Sequence, residues 1–265
     1  MALQTYSFRP YCGSPPDPAH LLGRWNLDPL LAAVLAASLA LYLIGSGGLP
    51  RWRRAAFCAG LAAVAAAWMS PLCALSVALF SARIAQHMWI ASVAAPLLAL
   101  GRPAASFRRA AWPGARAGWC GPLPAAAAFA AAMWFWHAPA AYTATFESDA
   151  AYWAMHATLL GAAVWLWASL IDRGRHLGGF ALATLLTTGQ MGLLGALVTF
   201  AGRPIYPPHF VTPYLWGLTP LQDQQLGGVI MWIPAGVIFA GGFALAFARL
   251  MRATPASLAA PSGAA

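Results

Sequence analysis

The chain has 265 residues, 61% of them apolar and only 8% charged, with a mean hydropathy of +0.65. A soluble domain carries roughly 25% charged residues, so this composition excludes a water-soluble globule of that size. The net charge of +9 comes from 15 basic residues, all arginine, and they sit in short segments between apolar runs. That placement excludes a nucleic-acid-binding surface and is a topology signal.

In chain order, residues 1–28 form an external segment containing Pro and Gly, with no charge pattern of a cleavable signal peptide. Seven apolar runs follow: Pro29–Gly45, Arg54–Met69, Ser76–Gly101, Pro122–His137, Ala150–Ile171, Gly179–Ala201 and Leu226–Leu250. A helix needs about 20 residues to cross the hydrocarbon layer, with a range of about 17–25. The first, second and fourth runs are near the short limit and rich in alanine. None shows the alternation of a membrane barrel, so helices are the expected form. The sequence therefore predicts an all-α polytopic membrane protein of seven transmembrane helices over residues 29–250. A disordered tail is expected over 251–265. Pro96 and Pro234 are expected to kink the third and seventh helices, and Gly227 and Gly228 to allow close helix approach.

Orientation follows from the arginines. One set of loops holds Arg51, Arg53, Arg54, Arg102, Arg108, Arg109, Arg116, Arg173, Arg175, Arg249 and Arg252; the other holds only Arg9, Arg24 and Arg203. The positive-inside rule then places the N-terminus outside and the C-terminus in the cytoplasm of a bacterial plasma membrane.

On this frame the polar residues gather toward the outer face. Asp17, Asp28, Glu147, Asp149, Asp223, His20, His137 and His209 fall outside or at the outer boundary. At about 1.5 Å per residue, His156 lies roughly 9 Å deep, Arg83 roughly 11 Å and His87 roughly 17 Å. Ionisable groups inside membrane helices are rare and usually face a cavity or a partner. Three histidines have a methionine close by: His87 with Met88, His156 with Met155, and His137 with Met133. Only the last pair shares a helix face. Imidazole with thioether suits copper, and thioether favours the cuprous state. His87, His137 and His156 are expected to converge on one cavity with Asp223 at its rim. For Arg83 the expected states are snorkelling or an ion pair with Asp223, Glu147 or Asp149. Gln190, at the depth of His87, is a candidate hydrogen-bond partner for it. Cys12 and Cys73 fall on the outer side, where a disulfide, metal binding and inert thiols are all open. A mobile N-terminal segment favours their lying apart.

Several short segments resemble one family in their order and spacing. They are Trp25-Asn26-Leu27-Asp28-Pro29, Ser70-Pro71-Leu72, Phe80-Ser81 with Gln86-His87-Met88, Ala95 to Pro103, Trp136-His137-Ala138-Pro139, Thr199-Phe200, and Asp223 to Gly228 with Met231-Trp232. Together they resemble CtaG, the multi-span assembly factor of cytochrome c oxidase in bacteria with caa-type oxidases. The resemblance implies a non-enzymatic chaperone that helps build the oxidase copper centre on the outer membrane face. It implies oxidase subunits as partners and copper as cargo. Carried over residue by residue, it points to His87, Met88, His137, His156 and Asp223, to which the helix-face argument adds Met133. One departure stands out. Many members read His-Met-x-Gln-His-Met where this chain has Arg83-Ile84-Ala85-Gln86-His87-Met88, so an i,i+4 histidine pair is not available. The rival expectations are a copper or small-cation transporter and a haem-handling membrane protein. A transporter should carry polar groups onward to the cytoplasm, and almost none lie below Gln190 and His87.

Overall fold

The computed structural model describes residues 8–103, 106, 121–171, 177–233, 236–237, 241 and 244. The arginine-bearing segments 107–120 and 172–176, Pro234 and the tail 245–265 lie outside the described residues, and the expectations for them with it. Among the described residues every regular element is helical.

Helix α1 spans Pro29–Gly45. Its start is set by Asp28, whose carboxylate accepts the Leu30 N–H at 2.8 Å, and by Pro29 at the first helical position. Helix α2, Arg51–Met69, continues into α3, Pro71–Ala78, across a 49° bend. The bend falls at Ser70, whose hydroxyl accepts the Leu72 N–H at 3.2 Å. Pro71 cannot continue the hydrogen-bond ladder of α2 and instead opens α3.

The third predicted run is not one helix. The chain becomes extended at Leu79 (φ −127°, ψ 130°) and a new helix, α4, begins at Phe80 and runs to Trp89. The cause is Asp223, far along the chain. Its carboxylate accepts the Phe80 N–H at 2.7 Å, the Ser81 N–H at 3.1 Å and the Ser81 hydroxyl at 2.5 Å. It thereby satisfies donors that a helix start leaves open. After α4 the helix widens into one π turn, Ile90–Ala94, and resumes as α5, Ala95–Leu100. The wide turn falls immediately before Pro96, whose ring and missing N–H would break a regular ladder.

Helix α6, Pro122–His137, coincides with the fourth run. A short helix, α7, Pro139–Glu147, occupies what the sequence suggests is an external loop. Among the described residues, helices α8, Asp149–Ile171, and α9, Leu177–Thr199, are the two long and apolar enough to cross a membrane; the bent α2–α3 pair would make a third. Helix α10 begins at residue 220 and is continuous to 233.

Two cores hold the bundle. One joins α4, α6, α8 and α9 through Phe80, Ile84, Phe129, Met133, Met155, Leu166 and Met191. The other joins α1, α2 and the π turn through Tyr42, Phe57, Val64, Trp68 and Ile90. Tyr42 stacks on Phe57 at 3.6 Å and donates its hydroxyl to the Gly101 carbonyl at 3.0 Å. Helices α9 and α10 cross at glycine. A Cβ on Gly228 would lie 2.7 Å from the Thr199 nitrogen and 2.8 Å from the Gly195 oxygen, so only glycine permits this approach.

Candidate functional site

Three helices bring three imidazoles together. His87 comes from α4, His137 closes α6, and His156 lies on α8 one turn beyond Tyr152. The His87 ring lies 6.1 Å from that of His137 and 5.6 Å from that of His156, both edge to face. All three side chains are buried, with 4%, 4% and 1% exposure in that order. His87 and His156 line a small cavity with Met133, Phe129, Ile90, Ala91 and Leu159.

The local backbone fixes the chemistry of two of these rings. His137 Nδ1 lies 2.7 Å from the Met133 carbonyl oxygen, and His156 Nδ1 lies 3.0 Å from that of Tyr152. A carbonyl only accepts, so each neutral ring carries its proton on Nδ1 and its lone pair on Nε2. Those two Nε2 atoms, and both nitrogens of His87, are buried without a hydrogen-bond partner among the described residues. Leaving one buried polar atom unpaired costs about 1–3 kcal/mol. Four at one place form an arrangement that a bound soft cation would stabilise. The donor set fits such a cation, because a backbone carbonyl behind a ligating imidazole is the usual orienting contact at metal sites. Ring separations near 6 Å let two imidazoles share one metal with nitrogens at about 2.0–2.1 Å. Among the described residues no three His, Cys, Asp or Glu side chains group tightly enough to hold a metal ion. A site here is therefore two imidazoles with a thioether, and Met133 lines the same cavity.

The other expected residues are placed differently. Met88 is buried in the core beside Phe80 and Ile84 and does not line the cavity. Asp223 is buried, and its oxygens are engaged at the start of α4 rather than at the rim of the histidines. Gln190 accepts a hydrogen bond from the Trp134 indole at 3.1 Å and does not reach His87.

Arg83 neither snorkels nor pairs with an acid. It is 1% exposed, and no carboxylate lies within 4.0 Å of it among the described residues. Its guanidinium donates to the Thr145 hydroxyl at 2.6 Å and lies 3.7 Å from the Met155 sulfur. It sits over the ring of Phe146 at 4.4 Å, Tyr142 at 5.1 Å and Tyr152 at 5.7 Å. The aromatic faces take the place of a counterion.

Two residues of this environment are not apparent from the sequence. Tyr142 on α7 binds His209 Nε2 through its hydroxyl at 2.7 Å. Tyr206 donates to the His137 carbonyl oxygen at 3.0 Å. His209 is buried in the connection between α9 and α10, and desolvation pushes its imidazole down to about 3. The short interval between Ala138-Pro139 and Asp149 carried the only hint of a helix here, a proline at its first position.

A family model described as cytochrome c oxidase caa3 assembly factor (Caa3_CtaG) matches residues 23–253. The chain belongs to this family. No curated protein and no solved structure matches it. The Caa3_CtaG match spans α1 to α10, so all three histidines, Met133, Arg83 and Asp223 lie within the family region.

Cys73 lies inside the matched span and Cys12 before it. The two are bonded, with Cα atoms 5.6 Å apart, which overturns the expectation that a mobile N-terminal segment keeps them apart. The segment is tied down by aromatic contacts. Tyr11 stacks on Tyr152 at 4.9 Å and donates its hydroxyl to Asp28, and Phe8 meets the edge of Phe146 at 6.2 Å. Burial, and then the bond to Asp28, push the Tyr11 hydroxyl up to about 12. The same bond holds the Asp28 carboxyl below its usual range.

Proposed function

We propose that this Caa3_CtaG member is a non-enzymatic, multi-pass protein of the bacterial plasma membrane that supplies cuprous copper to the oxidase on the outer face. The seven-span, N-outside arrangement rests on the seven apolar runs and the arginine distribution. The exterior supports it: Leu185, Leu186, Leu193 and Leu197 of α9 are about half exposed, as are Leu30, Val34 and Ile44 of α1 or more so. Such a surface belongs in lipid.

The observation that carries the copper reading is the set of unpartnered imidazole nitrogens beside Met133. Copper is cargo in this reading. In this reading His87, His156 and the Met133 thioether, which line the cavity, are the ligands, and the thioether favours the monovalent ion. His137, its ring 6.1 Å from that of His87, adjoins them, and the lone pairs of His137 and His156 are oriented by their backbone bonds. The remaining walls, Ile90, Ala91, Phe129 and Leu159, are apolar. They offer no polar path onward, which disfavours a transporter.

The test has two arms. Purified protein should bind cuprous copper, and the His137→Ala, His156→Ala double variant should lose it. A deletion strain should make the oxidase polypeptides yet show reduced oxidase activity, partly restored by added copper. Full oxidase activity in the deletion strain across copper levels refutes the assignment.

A further inference from the structure

The Cys12–Cys73 bond lies directly beside the histidine site, linked to it by a single residue. The Tyr152 hydroxyl is 3.4 Å from the Cys12 sulfur and 3.8 Å from the Cys73 sulfur. The Tyr152 ring lies 4.2 Å from that of His156, and its carbonyl orients the same imidazole. We propose that Cys12 and Cys73, once reduced, form a second cuprous-copper site that receives the ion ahead of the imidazoles. This rests on the reading of copper as cargo.

Three features support a ligand role beyond that of a staple. The two sulfurs share polar neighbours able to support thiolates: the Tyr152 hydroxyl, and the Asn26 side-chain amide 3.8 Å from the Cys73 sulfur. Cys73 sits in the first turn of α3, where the helix dipole favours the thiolate. Access is asymmetric, since Cys73 is fully buried and Cys12 only partly so. An incoming thiolate therefore attacks the Cys12 sulfur. With Cα atoms 5.6 Å apart, side-chain rotation alone lets both sulfurs bind one ion at about 2.3 Å.

The chemistry balances with a dithiol reductant of the outer compartment. Its thiolate attacks Cys12, the Cys12–Cys73 bond breaks, and Cys73 leaves as a thiolate that takes a proton. The second reductant thiol then resolves the mixed disulfide and releases Cys12. Two electrons and two protons pass to this chain, and the reductant becomes a disulfide. Cuprous copper then binds in exchange for the thiol protons.

The experiment titrates cuprous copper into the full chain in detergent, against a chromophoric cuprous chelator, with and without prior reduction under anaerobic conditions. Reduced wild-type protein should take up one equivalent more than oxidised protein. Alkylating the reduced thiols with iodoacetamide should abolish the difference, as should Cys12→Ser with Cys73→Ser; the alkylation arm needs no variant to fold. Equal uptake by reduced and oxidised wild type overturns the proposal. The His137→Ala, His156→Ala variant separates the two sites. It should lose the uptake seen in oxidised protein and keep the reduction-dependent equivalent. If oxidised wild type binds none while reduction adds one, the histidine reading fails and the cysteine site stands.

Discussion

Arg83 sets the character of the histidine cluster. Its guanidinium is held four residues before His87 on α4, with aromatic rings and a hydroxyl around it and no acid beside it among the described residues. Residues at that spacing have Cβ atoms about 5–6 Å apart. At an effective dielectric of about 20, one further unit of charge at about 6 Å costs roughly 3 kcal/mol, or on the order of 100-fold in affinity. A monovalent ion meets that repulsion once and a divalent ion twice. Arg83→Gln should therefore narrow the preference for cuprous copper over zinc by one to two orders of magnitude, as read by competitive chelator titration of both ions. An unchanged ratio would show that the guanidinium is electrically remote from the site.

His209 gives a second measurement at this scale. Its imidazole is neutral when folded, held down to about 3 against an ordinary value near 6.5. The unfolded chain therefore takes up a proton that the folded chain refuses as pH falls through that window. Stability is fully present above about pH 6.5 and is lost progressively below it. The thermal midpoint of the purified protein should fall between pH 6.5 and 4, and His209→Asn should make that fall shallower.

These residues also mark how far the sequence could be read. His87 and His156, on apolar runs read as spans, with His137 at the end of another, stand out as a cluster because charged or titratable groups are scarce in this chain. Their depths, counted along straight helices, separated His87 from His156 by about 8 Å at ideal rise. The rings lie 5.6 Å apart, and the third run is not one straight helix but is interrupted at Leu79 and widened at Ile90–Ala94. Arg83 was visible, but its aromatic surroundings were not, since Tyr142 and Phe146 belong to a helix that the hydropathy pattern hides in a loop.

At the scale of elements, the decisive contact is long-range. Asp223 fixes the start of α4 across more than 140 residues of chain, and no local signal at Leu79-Phe80 reveals it. Asp223→Ala should leave two buried amides and a hydroxyl without an acceptor. At about 1–3 kcal/mol for each buried group, with partial relaxation, a loss of about 3 kcal/mol is expected in denaturant unfolding. Asp223→Asn keeps one acceptor oxygen and should lose less. Equal stability of Asp223→Ala and wild type would mean that α4 starts at Phe80 for another reason. By contrast, local chemistry did mark several boundaries. Asp28-Pro29 opens α1, Ser70-Pro71 opens α3, and Gly121-Pro122 precedes α6. Each pairs a small or capping residue with proline at the first helical position.

At the scale of the whole molecule, the apolar runs and the helices agree in place more than in form. The fifth and sixth runs are single long helices, whereas the second continues into the bent α3 and the third is broken at Leu79 and widened before Pro96. Hydropathy measures where chain can enter lipid and is silent on how it bends there. The proposed arrangement predicts that reporter fusions after Arg54 and Arg175 read as cytoplasmic and those within 138–149 and 203–219 as external. A cytoplasmic signal between His137 and Asp149 would reverse the orientation.

The bond between Cys12 and Cys73 constrains how this chain comes into being. The 61-residue interval it closes contains α1 and α2 in full. In the proposed topology the interval crosses the bilayer twice, so both thiols reach the oxidising side only after the first hairpin is threaded. Closure of the bond then timestamps completion of that hairpin during synthesis. A nascent chain halted before α2 emerges would keep a free thiol at Cys12, and one released beyond α3 would not.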